Sequence, residues 1–365
     1  MRVVIAKKTL STVGGSETFA RALDRELRAL GHDVALVGMR PAWFRPGIAD
    51  DARSTFLDVR FGRLGAAIDG LLPTTLVRDQ DLRRVISGAD VVHSLAREWA
   101  GALERAARAE GAAFVETPLV HPGQPFSGDT ASDLARYRRA DAVIALTNWE
   151  ATWYRERGVS RVHVTGVGPN LVDLPEVARE PATILFVGRK EVYKGYYSLR
   201  RAARMVWRER ADARFVAIGQ PAWFAQIWPI LAMRDPRWVD HDVVSERVKA
   251  EALARATIFA MPSDHETFGH TYLEAWLAGL PVIAGDIAPL REVVREGVDG
   301  LHVRNEPRPI ADAVLALLRD PERARWMGVQ GRARVLREFT WPAVAKRTEA
   351  AYAAAVANAG LRARR

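Results

Sequence analysis

Residues 263–285 carry two carboxylates, Glu266 and Glu274, with seven residues between them. An apolar run at residues 257–261 precedes them, and Gly279 ends a helical pattern behind Glu274. This order predicts a strand, a polar loop and a helix. Because ligands of α/β proteins bind at the edge where the strands end, both carboxylates are candidates for binding one.

The start of this helix is a candidate anion site. The backbone amides around Phe268, Gly269 and His270 open the helix, and free amides at a helix start attract phosphate. Glu266 lies before these amides and Glu274 behind them, and the helical part of the interval spans roughly 9 Å. A nucleoside diphosphate sugar has the matching layout, because its hydroxyl groups lie on both sides of a diphosphate and carboxylates accept hydrogen bonds from hydroxyls.

Two near matches to metal motifs are rejected. His265 and His270 beside Glu266 resemble a zinc helix, but that motif needs histidines four positions apart and these are five apart. Asp79 and Asp81 resemble a D-x-D metal motif, but no apolar strand precedes them and a helical pattern follows, which predicts an exposed helix start. The sequence therefore predicts no metal site.

The composition is that of a soluble globular protein. The chain has 365 residues, 48% hydrophobic and 27% charged, which suffices for two domain cores. No run approaches the ~20 apolar residues of a membrane span, and residues 1–6 lead into a strand rather than a signal peptide, so a cytoplasmic location is expected. The absence of cysteine excludes disulfides and a cysteine nucleophile.

The net charge of +9 indicates attraction to an anionic partner: a nucleotide, phospholipid headgroups or nucleic acid. No helix-turn-helix or RNP-like motif is present, so no nucleic-acid partner is expected. The aromatic tract with Trp223, Phe224, Trp228 and Trp238 favours packing, with an acceptor or peripheral membrane contact as the alternative. The pattern of residues 41–81 is irregular and basic, and it assigns no role to this segment.

Two loops in the first half also carry candidates. A strand at residues 2–6, the pair Gly14 and Gly15, and an amphipathic helix predict the start of a βαβ unit. A later strand at residues 113–117 runs into a loop that contains His121. From the residue types alone, two glycines at a tight turn are ordinary loop chemistry, and a lone histidine is more often structural than functional.

A cation pair opens the second half. The strand at residues 184–187 leads to Arg189 and Lys194. Arginine binds phosphate as a planar fork and lysine binds it as a point charge, so the two together fit a diphosphate. Lysine occurs at only six positions in this arginine-rich chain, which makes Lys194 more informative than a lysine usually is.

These patterns together resemble a known family. Glu266 and Glu274, with Phe268-Gly269 between them and Gly279-Leu280-Pro281-Val282 behind, resemble the E-x7-E signature of the retaining GT-B glycosyltransferases of family 4. Arg189 and Lys194 resemble the G-R and K-G phosphate clamp of the same family. The resemblance is close over residues 184–303 and looser before residue 170.

The resemblance implies roles for the matching residues. Arg189 and Lys194 would hold the donor diphosphate, Glu274 the ribose and Glu266 the transferred sugar, while His121 would face donor sugar and acceptor. The residues expected to act in catalysis are Glu266, Lys194, Arg189 and His121. Those expected to bind the donor are Gly15, Arg189, Lys194, Glu266, Phe268, Gly269, His270 and Glu274.

The implied fold is α/β, with two Rossmann-like domains facing across a cleft. Residues 1–170 would form the acceptor-side domain, residues 171–340 the donor domain, and a helix at about 341–358 would cross back to the first. The implied reaction is retaining and metal-independent, with no cofactor, from a nucleoside diphosphate sugar to a hydroxyl acceptor on a glycan, glycolipid or small molecule. A sugar-nucleotide epimerase and a non-catalytic nucleotide-sugar-binding protein are the alternatives.

Overall fold

A computed structural model describes residues 1–8, 10, 15–39, 54–58, 77–95, 97–123, 129–171, 173–221 and 235–363. The chain divides into two compact units. The first comprises Met1–Val167 with Trp341–Arg365, and the second comprises Gly168–Thr340. Gly14 and the aromatic residues at 223, 224 and 228 lie outside the described residues.

The first unit is built on a parallel sheet with the strand order β3-β2-β1-β4-β5-β6-β7. The strands β1 to β7 are Arg2–Ala6, Asp33–Met39, Ser54–Leu57, Val91–Leu95, Ala113–Thr117, Ala142–Ala145 and Val162–Val164. The helices α1 to α5 are Gly15–Ala29, Asp79–Ile86, Ala100–Ala109, Ala131–Arg139 and Asn148–Glu156. Because β1, β4 and β5 are flanked on both sides by parallel neighbours, nearly all of their residues are buried, including the polar residues His93 and Ser94 of β4 and Glu116 and Thr117 of β5.

The last helix of the chain, α12 (Trp341–Ala363), packs on α1 and on strands β4, β5 and β6 of this same unit. Its Tyr352 hydroxyl lies 2.7 Å from Nδ1 of the buried His93. Near its end, Arg362 lies 2.6 Å from the carboxylate of Asp141. The C-terminal helix is thus part of the first unit.

The second unit has a parallel sheet with the order β10-β9-β8-β11-β12-β13. The strands β8 to β13 are Thr183–Val187, Arg214–Ile218, Trp238–His241, Ile258–Met261, Val282–Gly285 and Gly300–Val303. The helices α6 to α11 are Tyr196–Val206, Glu246–Arg255, His270–Leu277, Ala288–Val293, Pro307–Arg319 and Pro321–Glu338. Strands β8 and β11 are neighbours at the centre, so the loops that follow them meet at one edge of the sheet.

Close packing fixes helix α8 on this sheet. Gly328 and Gly331 of α11 lie against α8 so tightly that a Cβ at Gly328 would be 2.0 Å from the Gly279 carbonyl oxygen. At Gly331, a Cβ would be 2.0 Å from the Trp276 ring. Because two packed helices can approach this closely only through residues without side chains, the glycines of α11 set the position of α8 and of the loop before it.

Of the aromatic tract Trp223, Phe224, Trp228 and Trp238, the described residues include only Trp238. Trp238 is a core residue. Its ring stacks on Phe215 with 5.7 Å between centroids, and its side chain is buried. Trp238 therefore packs in the core, as the first of the two interpretations predicts, and it does not contact a membrane or an acceptor. Among the described helices, none combines the length and the apolar character that crossing a bilayer requires.

Candidate active site

Two loops of the second unit meet where β8 and β11 end. Gly195 closes the turn before α6 with φ of +78°, and a Cβ there would lie 2.6 Å from the Pro262 carbonyl oxygen. The backbones of the two loops are therefore in direct contact. Lys194 and Glu266 use this proximity, since the Lys194 ammonium group donates a hydrogen bond to Oε1 of Glu266. Their side chains are only 13% and 9% exposed.

Tyr193 holds this pair and Arg189 in position. Its carbonyl oxygen accepts hydrogen bonds from the Asp264 amide at 2.7 Å and the Ser263 hydroxyl at 3.2 Å. Its ring stacks on His265, and its hydroxyl accepts a hydrogen bond from the exposed Arg189 guanidinium. Burial raises the pKa of Tyr193, so the hydroxyl stays protonated. We did not predict this residue from the sequence, although it directly precedes Lys194.

Lys190 lies in the same loop but has a different environment. It is buried, and its ammonium group lies 2.6 Å from Asp240 and 3.4 Å from Asp242, both at the end of β10. Lys190 is thus neutralised by two carboxylates from the end of β10, which lies two strands away from β8 in the sheet. Arg189, by contrast, has no carboxylate within ion-pair distance in the described part of the chain.

Gly269 shapes the start of α8. It has φ of +88°, and a Cβ there would lie 2.4 Å from the ring of Tyr272. The Tyr272 hydroxyl is in turn fixed, because it donates a 2.5 Å hydrogen bond to the carbonyl oxygen of Met261 at the end of β11. Only glycine satisfies both the backbone angle and the close ring, so the first amides of the helix are held in one orientation.

The neighbours of Gly269 are anchored on both sides. The Phe268 ring is buried against Phe339 in an edge-to-face contact with 5.3 Å between centroids. Nδ1 of His270 lies 2.9 Å from the carbonyl oxygen of Gly168. Burial lowers the pKa of His270, against the opposing effect of that carbonyl. The His270 ring is therefore neutral at physiological pH, and it donates from Nδ1 to the carbonyl.

Glu274 lies one turn further along α8, and its side chain is 1% exposed. Its Oε1 lies 3.2 Å from the ammonium group of Lys249 on α7, which also pairs with Glu246 at 2.8 Å. Burial raises the pKa of Glu274, although Lys249 acts in the opposite direction. The other oxygen, Oε2, is buried and makes no well-formed hydrogen bond to any residue that the structure describes. The Leu171 backbone amide also favours the charged form of this carboxylate, so Glu274 faces the end of the segment that enters the second unit and can accept a further hydrogen bond from a hydroxyl group.

Gly15 and His121 belong to the first unit. Gly15 is the exposed first residue of α1, and Glu17 in the same turn forms a buried ion pair with Lys7, whose Nζ lies 3.1 Å from Oε1 of Glu17. His121 follows β5 in a loop where Leu119 has φ of +53°, a conformation that leucine rarely adopts. Both residues thus lie beyond the carboxyl ends of strands, as the sequence predicts. The remaining predicted residues all lie in the second unit.

The second unit therefore presents a set of groups suited to a ligand that carries both an anionic group and hydroxyl groups. Arg189, Lys194 and the amides at the start of α8 attract an anion, while Glu266 and Glu274 accept hydrogen bonds from hydroxyls. No three histidine, aspartate or glutamate side chains within the described ranges lie together as a metal site requires.

Two parallel α/β units, one with cations and a helix start at its ligand edge, are typical of the GT-B glycosyltransferases. The family model described as "Glycosyl transferases group 1" matches residues 181–320, and that described as "Glycosyl transferase 4-like domain" matches residues 14–170. Together they span most of the chain. The chain belongs to the group 1 glycosyltransferases of family 4, and it is a glycosyltransferase of GT-B fold.

Individual relatives agree with this assignment. The chain is 28% identical to a glycogen synthase of Mycobacterium tuberculosis, over 94% of this chain and 92% of that protein. It is 36% identical to an alpha-maltose-1-phosphate synthase of Mycolicibacterium smegmatis, but over only 30% of each chain. The crystal structure of HepE from Anabaena in complex with UDP and glucose superimposes with a TM-score of 0.75 at 15% identity, covering 96% of this chain and 98% of that one. The predictions of the family and of the fold class are confirmed.

Proposed function

We propose that this protein transfers a sugar from a nucleoside diphosphate donor to a hydroxyl acceptor, with retention of configuration and without a metal ion. The observation that carries the proposal is the meeting of Arg189, Lys194 and the start of α8 at one sheet edge, with Glu274 buried behind them. The complex of the structurally similar HepE with UDP and glucose is consistent with such a donor.

In this proposal the donor lies along α8. Arg189 and Lys194 bind the diphosphate, and the amides of Phe268, Gly269 and His270 donate to its oxygens. Oε2 of Glu274, which no side chain of the described residues binds, accepts a hydrogen bond from a ribose hydroxyl. Lys249 keeps Glu274 in place through its contact with Oε1.

Glu266 and Lys194 would act together at the reacting end of the donor. The bond from the anomeric carbon to the leaving phosphate oxygen breaks, and the phosphate gains negative charge. Lys194 and Arg189 stabilise that charge, which is the kind of electrostatic effect that usually dominates catalysis. Glu266 accepts hydrogen bonds from the sugar hydroxyls and orients the ring, while its contact with Lys194 positions the ammonium group.

Retention would follow from attack on the same face of the sugar that the phosphate leaves. The acceptor oxygen forms the new bond to the anomeric carbon, and its proton passes to the departing phosphate oxygen. No side chain then needs to act as a nucleophile. We assign Gly15 to donor binding and His121 to the donor sugar and the acceptor, and the positions of both residues beyond strand ends support this assignment.

Metal independence rests on the same cations. A divalent ion bound to the donor would neutralise the diphosphate, and here Arg189 and Lys194 supply two positive charges for that purpose. The two carboxylates assigned to this site already contact lysine ammonium groups, because Glu266 binds Lys194 and Glu274 binds Lys249.

A donor screen followed by product analysis tests the proposal. UDP-, GDP- and ADP-sugars are compared by thermal shift, and a donor at 100 times its dissociation constant should stabilise the protein by about 2.7 kcal/mol. The stabilising donor is then incubated with sugars and polyols as acceptors, and the anomer of the product is determined by NMR. A product with the anomeric configuration of the donor supports retention, and the inverted anomer contradicts it. Free isomerised donor formed without acceptor would instead indicate an epimerase, and binding without turnover a binding protein.

A further inference from the structure

Helix α11 has apolar residues on its solvent side as well as on its packed side. Trp326, Val329 and Leu336 are 48%, 60% and 57% exposed. At 3.6 residues per turn they fall within an arc of about 80°, so they form one stripe along the helix. We call these three residues the α11 stripe. The residues of α11 that face the core are Ala324, Met327, Gly328, Gly331 and Val335.

Packing within the second unit does not explain the α11 stripe. A surface helix usually places apolar residues toward the core and polar residues toward water. The core contact of α11 with α8 is already made through small residues on the other side, Gly328 and Gly331. Single exposed apolar residues are common, but three large ones in a row on one helix mark an interaction surface.

Arginines flank the α11 stripe on both sides. Arg325 and Arg332 lie along one side, are exposed, and form no ion pair within the described part of the chain. Arg323 and Arg337 lie along the other side, where Arg337 pairs with Glu338 at 2.6 Å. The acidic residue near the stripe, Glu322, lies in the first turn, where it complements the helix dipole.

We propose that the α11 stripe docks this protein onto an anionic lipid bilayer, with the helix lying in the plane of the surface. Interfacial helices combine large apolar side chains with arginine or lysine at the edges of the apolar face. Arginine side chains can insert their stems beside the stripe while their guanidinium groups contact lipid phosphates. A second copy of the chain fits this surface less well, because it would bring the same arginines toward one another.

The inference is independent of the proposed transfer reaction, since none of the residues that carry it belongs to the donor site. It is also independent of the aromatic tract, of which Trp238 is buried in the core. Anionic headgroups would strengthen binding about fivefold for each arginine near the surface, a contribution that salt screens.

Co-sedimentation with vesicles of phosphatidylcholine, with and without phosphatidylglycerol, tests the proposal on the full chain. We expect binding to the anionic vesicles that weakens with added salt. The triple variant Trp326→Ser/Val329→Ser/Leu336→Ser should bind at least about tenfold more weakly. Its matched control, Leu30→Ser/Val356→Ser/Leu361→Ser, changes three apolar residues that are exposed elsewhere, at 37%, 38% and 61%, and should bind like the parent.

The charge contribution is tested separately. Arg325→Gln/Arg332→Gln should lower binding about tenfold or more, whereas Arg83→Gln/Arg214→Gln, which removes two exposed arginines far along the sequence, should have a smaller effect. The four substituted arginines are all exposed, so the circular dichroism spectra and the thermal unfolding of both double variants should match those of the parent.

Equal vesicle binding by the stripe variant and by the parent would overturn the proposal. Equal binding of the parent to neutral and to anionic vesicles would overturn it as well. A concentration-dependent dimer that the stripe variant abolishes, without vesicle binding, would assign the surface to a second copy instead.

Discussion

Lys194 and Glu266 form a hydrogen-bonded ion pair that joins the loop after β8 to the loop after β11. The pair links the proposed phosphate-binding cation to the carboxylate that we assign to the sugar. Because both side chains are largely buried, neither can change its charge without affecting the position of the other.

This coupling predicts the effect of Glu266→Gln. The amide keeps the size of the side chain but removes the charge that holds Lys194, so turnover should fall by about two orders of magnitude while donor affinity changes much less. Steady-state kinetics with the identified donor measures both. Glu322→Gln, on the exposed first turn of α11, is the control and should resemble the parent. If kcat/KM fell because KM rose while kcat kept the parent value, Glu266 would act in ground-state binding instead.

Glu274→Ala should weaken binding of the nucleoside diphosphate, because a ribose hydroxyl loses a charged acceptor worth roughly 1.5 to 3 kcal/mol. Calorimetry with the ribonucleotide and its 2′,3′-dideoxy analogue separates this effect from a structural one. The parent should prefer the ribonucleotide, and the variant should bind both alike. Loss of affinity for both by the same factor would contradict the ribose assignment.

The raised pKa of Glu274 predicts a pH dependence of donor binding. Burial favours the neutral carboxyl group, so Glu274 takes up a proton at a higher pH than an exposed glutamate does. The protonated group is a weaker acceptor, so affinity should fall as the pH is lowered through this range and recover as it is raised. Titration with an intact nucleotide-sugar avoids the ionisation of a terminal phosphate. Glu274→Gln should bind weakly but without this pH dependence; a parent-like pH profile in the variant would locate the titrating group elsewhere.

Gly269→Ala and Gly297→Ala form a matched pair. Both glycines have positive φ, at +88° and +72°, but a Cβ at Gly297 meets nothing within 4 Å, whereas one at Gly269 meets the Tyr272 ring. Each change should cost about 1 to 2 kcal/mol for the backbone angle. Gly269→Ala should cost about 1 to 3 kcal/mol more for the clash and should also lower donor affinity. Denaturant unfolding measures the loss of stability, and calorimetry measures the donor affinity. If both variants had the same stability and the same donor affinity, the first amides of α8 would not depend on the packing of Gly269 against Tyr272.

The sequence was most informative where a contact follows from a local pattern. The strand at 257–261, the loop and helix α8 are contiguous, so the sequence alone predicts that Glu266, Gly269 and Glu274 follow one strand end. Arg189 and Lys194 follow a clear apolar strand for the same reason.

Contacts between distant segments were not predictable in this way. Lys249 pairs with Glu274, 25 positions away on a different helix, and no periodicity indicates which helices become neighbours. The four-residue strand β3 lies at a sheet edge with Leu57 as its one buried residue, which is too short a signal to recognise. Helix α12 extends to Ala363 because Arg362 contacts Asp141, a tertiary interaction that the helical pattern does not contain.

The most direct test of the account is the rate of sugar transfer by the parent and by Lys194→Ala, each measured with and without excess EDTA. The account predicts that EDTA leaves the parent rate unchanged, because Arg189 and Lys194 neutralise the diphosphate. It predicts that Lys194→Ala unfolds at the same temperature as the parent but has a kcat that is lower by a factor of about 10² to 10³. Such a decrease is typical for the loss of one group that stabilises a developing oxyanion. Lys346→Ala, at an exposed position on α12, should transfer at the parent rate. Abolition of transfer by EDTA, or a Lys194→Ala variant as active as the parent, would contradict the account.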